Sequence, residues 1–335
     1  MSETRKIKVL VIRFSSIGDI VLCSPVFRCL KKITGVSVET HLLTKKSFHS
    51  FTSNYSYIDK LHSFEKDLKG LIKELKKENF DFVLDLHNNL RSLRVKVALG
   101  KPSRAFEKLN IEKWLLTTFK INRMPKVHIV DRLMEAAKPL GIVNDGEGLD
   151  FFIPEAEEVD LKLLPDVFLD GFIGFVIGGT YATKRLPAEQ IAAICHKVHR
   201  PVVLLGGPED RDTGDAIVEM AGKRVYNACG RFSLNGSASL VKQACAVISH
   251  DTGLMHIAAA FSKPIASVWG NTVPEFGMYP FFARGYNHEQ SEIFQVSDLK
   301  CRPCSKIGYD KCPRKHFRCM LDIPVQDLIE WANRF

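Results

Sequence analysis

An acidic residue stands just after the first apolar segment of the chain. Residues 8–14 form a short, β-branched run typical of a buried strand in a parallel sheet, and residues 15–19 (Ser-Ser-Ile-Gly-Asp) follow it. The small residues let a ligand approach the backbone, and the Asp19 carboxylate could act as a general base toward an attacking hydroxyl. The same carboxylate could instead only complement the positive end of a helix dipole.

A second candidate motif is residues 249–256 (Ser-His-Asp-Thr-Gly-Leu-Met-His), which follow the apolar run 246–249. A helix that begins at Thr252 and Gly253 would present free N–H groups and a favourable dipole to a diphosphate. The alternative is that an Asp or Thr residue only caps the helix while His256 packs inside it.

Three further loops carry groups that bind phosphate or sugar. Residues 178–187 combine hydroxyls, backbone N–H groups and two cations, which suit phosphate. A basic loop that is only solvated would have the same composition. Glu209 follows an apolar run at a position where dinucleotide sites bind ribose hydroxyls, unless it only caps a helix. Residues 85–92 (Asp-Leu-His-Asn-Asn-Leu-Arg-Ser) offer donors and acceptors for sugar hydroxyls or acidic groups, or form an Asn-capped turn.

Four of the nine cysteines lie close together near the end of the chain, with the spacing C-x2-C-x7-C-x6-C. Clustered cysteines in a chain without an export signal favour a structural zinc site with thiolate ligands, and His316 is a further possible ligand. Reduced thiols that tether a loop, or a conditional disulfide, are the alternatives. The predicted zinc ligands are Cys301, Cys304, Cys312 and Cys319.

The elements that must position these residues alternate along the chain. Strand-like runs at 36–44, 81–86, 171–177, 201–205 and 265–269 are separated by helical stripes, such as Leu68, Leu71, Ile72 and Leu75. This alternation predicts an α/β protein with two doubly wound parallel sheets. We place the domains at 1–155 and 170–322, with a link inside 144–170, a cysteine loop at 301–319 and a closing helix at 323–335. The default ligand site is then the cleft between the domains.

Composition narrows the function classes. The 335 residues are 45% hydrophobic and 25% charged, which excludes a disordered or collagen-like chain. The formal net charge of +9 favours an anionic partner, and nucleic acid, an anionic lipid surface and phosphorylated glycans all stay open. The chain has no apolar run of about 18 residues and no signal-peptide pattern, so we expect a cytoplasmic protein.

Taken in order, these motifs resemble the ADP-heptose:lipopolysaccharide heptosyltransferases of glycosyltransferase family nine. The resemblance spans nearly the whole chain and depends most on residues 15–19 and 251–256, with 85–92, 178–187 and 206–209 in order between them. It implies a GT-B architecture, in which two Rossmann-like domains face each other across a cleft. The donor nucleotide would bind the C-terminal domain, the acceptor would bind the N-terminal domain, and the last helix would cross back to the N-terminal domain.

The resemblance also implies roles for individual residues. Asp19 would be the base and Lys184 would stabilise the leaving diphosphate, in an inverting transfer that requires neither metal nor cofactor. The donor would be bound by Thr180, Lys184, Glu209, Asp251, Thr252, Gly253, Leu254 and His256. The acceptor would be bound by Ser16, Gly18, Asn88 and Arg91.

The implied reaction moves a heptose from ADP-heptose to the inner core of lipopolysaccharide, with peripheral contact to the anionic inner-membrane surface and no nucleic-acid partner. The chain departs from the family around the donor site at Gly178, Leu186, His250 and Asn271. A family member that uses another nucleotide sugar is therefore one alternative. A zinc-containing, basic nucleic-acid-binding protein is an alternative from a different class. A nicotinamide-dependent oxidoreductase is disfavoured because G-x-G-x-x-G is missing.

Overall fold

A computed structural model describes residues 5–335 and divides them into two compact units. The first unit consists of the described residues up to Lys108 together with Val127–Phe152. The second unit consists of Leu109–Lys126 and Ile153–Phe335. Each unit is built on one sheet of parallel strands with helices between them, which confirms the predicted fold class.

The first unit holds a five-stranded sheet in the order β3-β2-β1-β4-β5. Its strands are β1 Arg5–Ile12, β2 Val36–Lys45, β3 Lys60–Phe64, β4 Phe82–Asp85 and β5 Ser103–Ala105. Its helices are α1 Ile17–Val21, α2 Ser24–Lys31, α3 His49–Thr52, α4 Leu68–Lys77, α5 Leu90–Leu99 and α7 Ile129–Ala137.

Strand β1 lies at the centre of this sheet because its residues are apolar on both faces. Val9, Leu10, Val11 and Ile12 are all fully buried. The chain runs from β1 outward to β2 and β3, then returns to the other side of β1 for β4. The loops that follow β1 and β4 therefore flank the point where the strand order reverses, which is where open α/β sheets bind ligands.

The second unit holds a six-stranded sheet in the order β11-β10-β9-β6-β7-β8. Its strands are β6 Ile173–Val176, β7 Val202–Leu205, β8 Val225–Asn227, β9 Ala246–His250, β10 Ile265–Trp269 and β11 Glu292–Gln295. Its helices are α6 Asn110–Phe119, α8 Ala188–Lys197, α9 Arg211–Ala221, α10 Leu234–Gln243, α11 Gly253–Ala260, α12 Arg318–Leu321 and α13 Val325–Ala332. The strand order reverses between β6 and β9, so the loops after these two strands flank the second ligand position.

The last helix, α13, packs within the second unit. It lies against α8 and β10, and its residues Leu328, Ile329 and Trp331 are buried in the core of that unit. The predicted return of this helix to the N-terminal domain is therefore corrected, because its apolar face is already buried in the second unit. Among residues 5–335, no helix combines the length and the apolar character needed to cross a membrane.

Helix α6 precedes most of the second unit in sequence but belongs to it. Leu116 on α6 packs with Val273 and Phe276, and Met124 joins the same cluster. The Nζ atom of Lys120 donates to the Pro303 carbonyl at 2.6 Å, which fixes the end of the helix. The segment Leu109–Lys126 is thus held against two loops of the second unit, and this insertion was not predicted.

Candidate active site

The Asp19 carboxylate lies in the first turn of α1, directly after the loop that follows β1. Its Oδ2 atom accepts hydrogen bonds from the backbone N–H and hydroxyl of Ser16, at 3.1 and 2.8 Å. Its Oδ1 atom lies 2.5 Å from Nη2 of Arg13, and the Asp19 side chain is 22% exposed. The carboxylate is therefore ionised, held in one orientation, and still accessible to a ligand.

Opposing effects act on the pKa of Asp19. Burial is the largest influence and raises the pKa, but the charge of Arg13 and the hydrogen bonds from Ser16 together outweigh it. The pKa of Asp19 therefore lies below its ordinary value. A carboxylate that stays ionised is available to accept a proton over the whole neutral range.

Arg13 is a functional candidate that the sequence analysis did not identify. Its Nε atom donates to the Ser15 carbonyl at 2.9 Å, and its Nη1 atom donates to the Leu86 carbonyl in the loop after β4. It therefore connects the two loops that flank the reversal of strand order. The only signal in the sequence is a cation at the end of an apolar strand.

The loop after β4 and the start of α5 hold two of the predicted acceptor-binding residues, Asn88 and Arg91. Buried Asp85 accepts hydrogen bonds from the backbone N–H groups of His87 and Asn88, at 3.1 and 2.6 Å, and so shapes the turn. The Asn88 amide donates to the Phe106 carbonyl at 2.9 Å, and Arg91 is exposed on the first turn of α5. Asn89 caps α5, so the predicted capping role is met by Asn89 and not by Asn88.

His87 is a second residue that the sequence analysis did not select. Its ring lies 4.8 Å from that of Phe14. Burial, followed by the charges of Arg13 and Lys108, lowers the pKa of His87 to about 4, so the ring is neutral at pH 7. Its buried Nδ1 atom has no hydrogen-bond partner among the described residues. A neutral imidazole at this position can bind a hydroxyl without adding charge next to Asp19.

A cavity of about 670 Å³ opens beside Asn88 in the first unit. Its lining includes three cations (Arg104, Arg132 and Lys138) and two acids (Glu107 and Glu135). Such a groove can hold an anionic, hydroxyl-rich ligand next to the loop after β4.

In the second unit, Lys184 and Asp251 meet at the reversal between β6 and β9. The Lys184 Nζ atom lies 2.5 Å from Oδ2 of Asp251 and 3.3 Å from the Asp251 carbonyl oxygen. Thr272, which follows β10, donates its hydroxyl to the same carboxylate oxygen at 3.0 Å. Three loops that are distant in sequence therefore meet at this ion pair, and Thr272 was not predicted from the sequence.

Close backbone packing brings the neighbouring loops of this unit together. A Cβ atom on Gly178 would collide with the Asp210 carboxylate, which accepts a hydrogen bond from the Gly207 N–H at 2.9 Å. Arg185 lies 3.3 Å from the same carboxylate through its Nη1 atom. Asp210 therefore holds the two loops together. The neighbouring Glu209 is exposed.

The remaining predicted donor-binding residues differ in accessibility. Thr252 is the N-cap of α11, so the free N–H groups of that helix begin at Gly253. Thr180 is exposed, whereas Thr252, Gly253 and Leu254 are half-buried. His256 is only 2% exposed and lies within the packed helix.

His250 ends β9 and is fully buried. Its Nε2 atom accepts a hydrogen bond from the Leu186 N–H at 3.0 Å, which fixes the loop that carries Lys184. Burial lowers the pKa of His250 to about 4, so the ring is neutral. His250 therefore positions the loop that carries Lys184.

The four predicted zinc ligands lie near one another, since burial and then the charges of Cys304, Cys312 and Cys301 raise the pKa of the Cys319 thiol. Four thiolates at about 2.3 Å from one zinc ion would lie about 3.8 Å from one another. In the described part of the chain, no three of these sulfur atoms come within 4.8 Å of one another, and all nine cysteines are free. The Cys301 sulfur lies 3.6 Å from Nε2 of His316, the further possible ligand. The zinc site at these cysteines therefore stays a prediction.

One other group of side chains has the composition of a metal site. His41, His62 and Glu78 have ligand atoms within 4.8 Å of one another. Nδ1 of His41 and Nε2 of His62 are hydrogen-bonded at 2.9 Å, and Glu78 is paired with Lys8 and Lys60. These internal partners occupy the ligand atoms, and the nearby lysines oppose a further cation.

Comparison with known proteins identifies the family to which this chain is similar. The family model described as glycosyltransferase family 9 (heptosyltransferase) matches residues 69–311. A lipopolysaccharide heptosyltransferase 1 of Pseudomonas aeruginosa is 24% identical over 94% of this chain and 91% of its own length.

Two solved structures share the fold. The glycosyl transferase family 9 protein of Veillonella parvula superposes with a TM-score of 0.76 at 20% identity, over 98% of this chain and 96% of that chain. The E. coli heptosyltransferase WaaC with ADP gives a TM-score of 0.66 at 21% identity, over 97% and 100%. Since the family model covers most of the chain, this protein belongs to glycosyltransferase family 9, the heptosyltransferase family, and is a glycosyltransferase.

Proposed function

We propose that this enzyme transfers a heptose from ADP-heptose to the inner core of lipopolysaccharide. The observation that carries the proposal is the oriented Asp19 carboxylate, held by Ser16 and Arg13 at the point where the first sheet reverses its strand order. The names of the relatives, which are heptosyltransferases of lipopolysaccharide, agree with this substrate pair. The donor would bind the second unit and the acceptor would bind the first.

On the acceptor side, Asp19 acts as the general base. It takes the proton of the acceptor hydroxyl as the hydroxyl oxygen attacks the anomeric carbon of the donor sugar. The bond between this carbon and the diphosphate oxygen breaks, and its electron pair leaves with ADP. Attack from the face opposite the leaving group inverts the anomeric centre. The small residues Ser16 and Gly18 give the acceptor access, and Asn88 and Arg91 bind its hydroxyls or acidic groups.

On the donor side, Lys184 stabilises the negative charge that develops on the departing diphosphate. Its ammonium group is already held next to Asp251, and the free N–H groups at the start of α11 begin one residue after Thr252. Exposed Glu209 accepts hydrogen bonds from the ribose hydroxyls. The Thr180 hydroxyl donates a hydrogen bond to a phosphate oxygen. These groups neutralise the leaving group from the protein itself, so the reaction needs no metal ion.

A nucleotide panel tests the donor assignment. Thermal unfolding is measured with ADP, UDP, GDP, CMP and NAD, because a ligand that binds only the folded state raises the melting temperature. A selective shift with ADP is expected, and a Glu209→Gln variant should lose part of that shift. Transfer is then measured with ADP-heptose and an inner-core acceptor. A selective response to UDP or GDP would contradict ADP-heptose as donor, and a response to NAD alone would contradict a sugar donor.

A further inference from the structure

Segment Leu109–Lys126 exposes an unusual group of large apolar side chains. Ile111 is 70% exposed, Trp114 49%, Phe119 56% and Ile121 47%. Single exposed apolar residues are ordinary on the surface of a protein. Four within eleven residues, two of them aromatic, form a patch of the kind that marks an interaction site. We call these four residues the α6 patch.

The patch faces away from the core of the second unit because the opposite side of α6 packs against that unit. Leu116 packs with Val273 and Phe276, and Lys113 lies over the Phe276 ring at 5.8 Å. Ile111 and Trp114 lie on the far side of the helix from Leu116, given 3.6 residues per turn. The rings of Trp114 and Phe119 contact each other edge to face, with centroids 5.1 Å apart. The patch is therefore a formed surface on an anchored helix.

The surroundings of the patch are strongly basic. Residues 109–126 contain four Lys and Arg residues and one acid, Glu112. The loop 300–318 adjoins both ends of α6, since Lys306 Nζ donates to the Asn110 carbonyl at 3.2 Å and Lys120 Nζ donates to the Pro303 carbonyl at 2.6 Å. This loop contains seven Lys and Arg residues and one acid, Asp310, and it exposes Ile307. An apolar patch within a basic border is complementary to an anionic amphiphilic surface.

We infer that the α6 patch docks this protein on an anionic lipid surface. Tryptophan and phenylalanine side chains favour the boundary between head groups and acyl chains, and the aliphatic side chains of Ile111 and Ile121 are buried in the outer acyl region. The lysines and arginines bind the anionic head groups. Nucleic acid would also attract the cations, but it offers no apolar environment for two isoleucines. This inference does not depend on the proposed reaction, and its test measures no sugar transfer.

The protein carries a reporter of this contact. It has three tryptophans, of which Trp269 and Trp331 are fully buried and Trp114 is half-exposed. Vesicles of phosphatidylglycerol and phosphatidylcholine should shift the emission of the intact protein to shorter wavelength. Brominated phosphatidylcholine should quench that emission, and Trp114→Phe should remove both effects. High salt and pure phosphatidylcholine vesicles should both weaken binding.

Matched variants test the surface itself. Ile111→Ser and Phe119→Ser should each weaken binding to the anionic vesicles about tenfold in a sedimentation assay. Arg123→Glu with Lys126→Glu should weaken it by at least as much, because each cation near an anionic surface contributes a similar factor. Leu163→Ser is the control, since Leu163 is also 70% exposed in the second unit but stands between Asp160 and Asp166. It should leave binding unchanged.

Several results would overturn the inference. One is vesicle binding that leaves Trp114 emission unchanged or that survives Ile111→Ser and Phe119→Ser in proteins with wild-type melting temperatures. A second is burial of Trp114 that depends on protein concentration without vesicles, which would make a second copy of the chain the partner. A third is binding to poly(U) that depends on the patch when vesicles are not bound.

Discussion

Replacing Asp19 with asparagine distinguishes a role in capping α1 from the proposed role as general base. The Asp19 carboxylate caps α1 through Ser16, and it also lies where the proposed base is needed. An asparagine can still accept both hydrogen bonds from Ser16, but it cannot take a proton. Asp67→Asn is the matched control, because Asp67 caps α4 in the same unit by accepting from the Gly70 N–H at 2.9 Å. Pure capping would make the two variants behave alike.

The expected magnitudes differ for activity and stability. Loss of a general base lowers the rate by a factor of about 10² to 10⁴, which corresponds to about 3 to 5 kcal/mol of activation free energy. Stability should fall by about 1 to 3 kcal/mol, because Arg13 is 7% exposed and loses its charged partner at 2.5 Å while keeping the carbonyls of Ser15 and Leu86. The Asp67→Asn variant should lose less than about 1 kcal/mol and keep its rate.

The assay is single-turnover transfer with saturating donor, followed by mass spectrometry of the product, next to urea unfolding and ADP titration. Asp19→Asn should bind ADP as the wild type does, because the donor binds the second unit in this proposal. Transfer by Asp19→Asn within tenfold of the wild-type rate would refute the role of Asp19 as base. A rate loss of equal size in Asp67→Asn would attribute the effect to helix capping.

Three other predictions concern the second unit. Lys184→Gln should lower kcat by about 10² to 10³ through loss of charge stabilisation on the leaving diphosphate, measured as ADP release, whereas Lys242→Gln, which breaks an exposed ion pair with Glu158, should not. Burial lowers the pKa of His250 to about 4 from 6.5, so the unfolded chain takes up its proton first as the pH falls. Stability is therefore lost between about pH 6.5 and 4, and urea unfolding of His250→Gln should show about 2 kcal/mol less destabilisation between pH 7 and 5; an unchanged difference would contradict the assignment. Protein purified without added metal should contain about one zinc per chain by elemental analysis, bound by Cys301, Cys304, Cys312 and Cys319, and sub-stoichiometric zinc with these four thiols free in the folded protein would contradict the predicted site.

The central strands were predictable from the sequence, but the edge strands were not. Strands β1, β2, β4, β6, β7, β9 and β10 coincide with the predicted strand-like runs, because most of their residues are buried on both faces. Strands β3, β5, β8 and β11 were all missed, and all four lie at the edges of their sheets. An edge strand is half-exposed and takes part of its stability from one neighbour, so its residues need not be apolar. In β5, for example, two of the three residues are exposed.

The sequence by itself identified the chemistry-bearing residues at strand ends. Asp19, Lys184 and Asp251 each follow an apolar run, and the position after a parallel strand is where an α/β sheet binds ligands. The zinc site at Cys301 to Cys319 stays a prediction because spacing along a loop does not determine how far apart the sulfurs lie. Likewise, the apolar face of α13 is visible in the sequence, whereas the surface that it packs against is not.

Only the tertiary structure decided which groups act on these residues. Arg13 reaches the Leu86 carbonyl across 73 residues, and Lys184 reaches Asp251 across 67. These pairs depend on which strands become neighbours, and a parallel sheet sets that order through crossovers rather than through local preference. The sequence thus determined the residue types and their places at strand ends, while the order of the strands determined their partners, their burial and the pKa of Asp19.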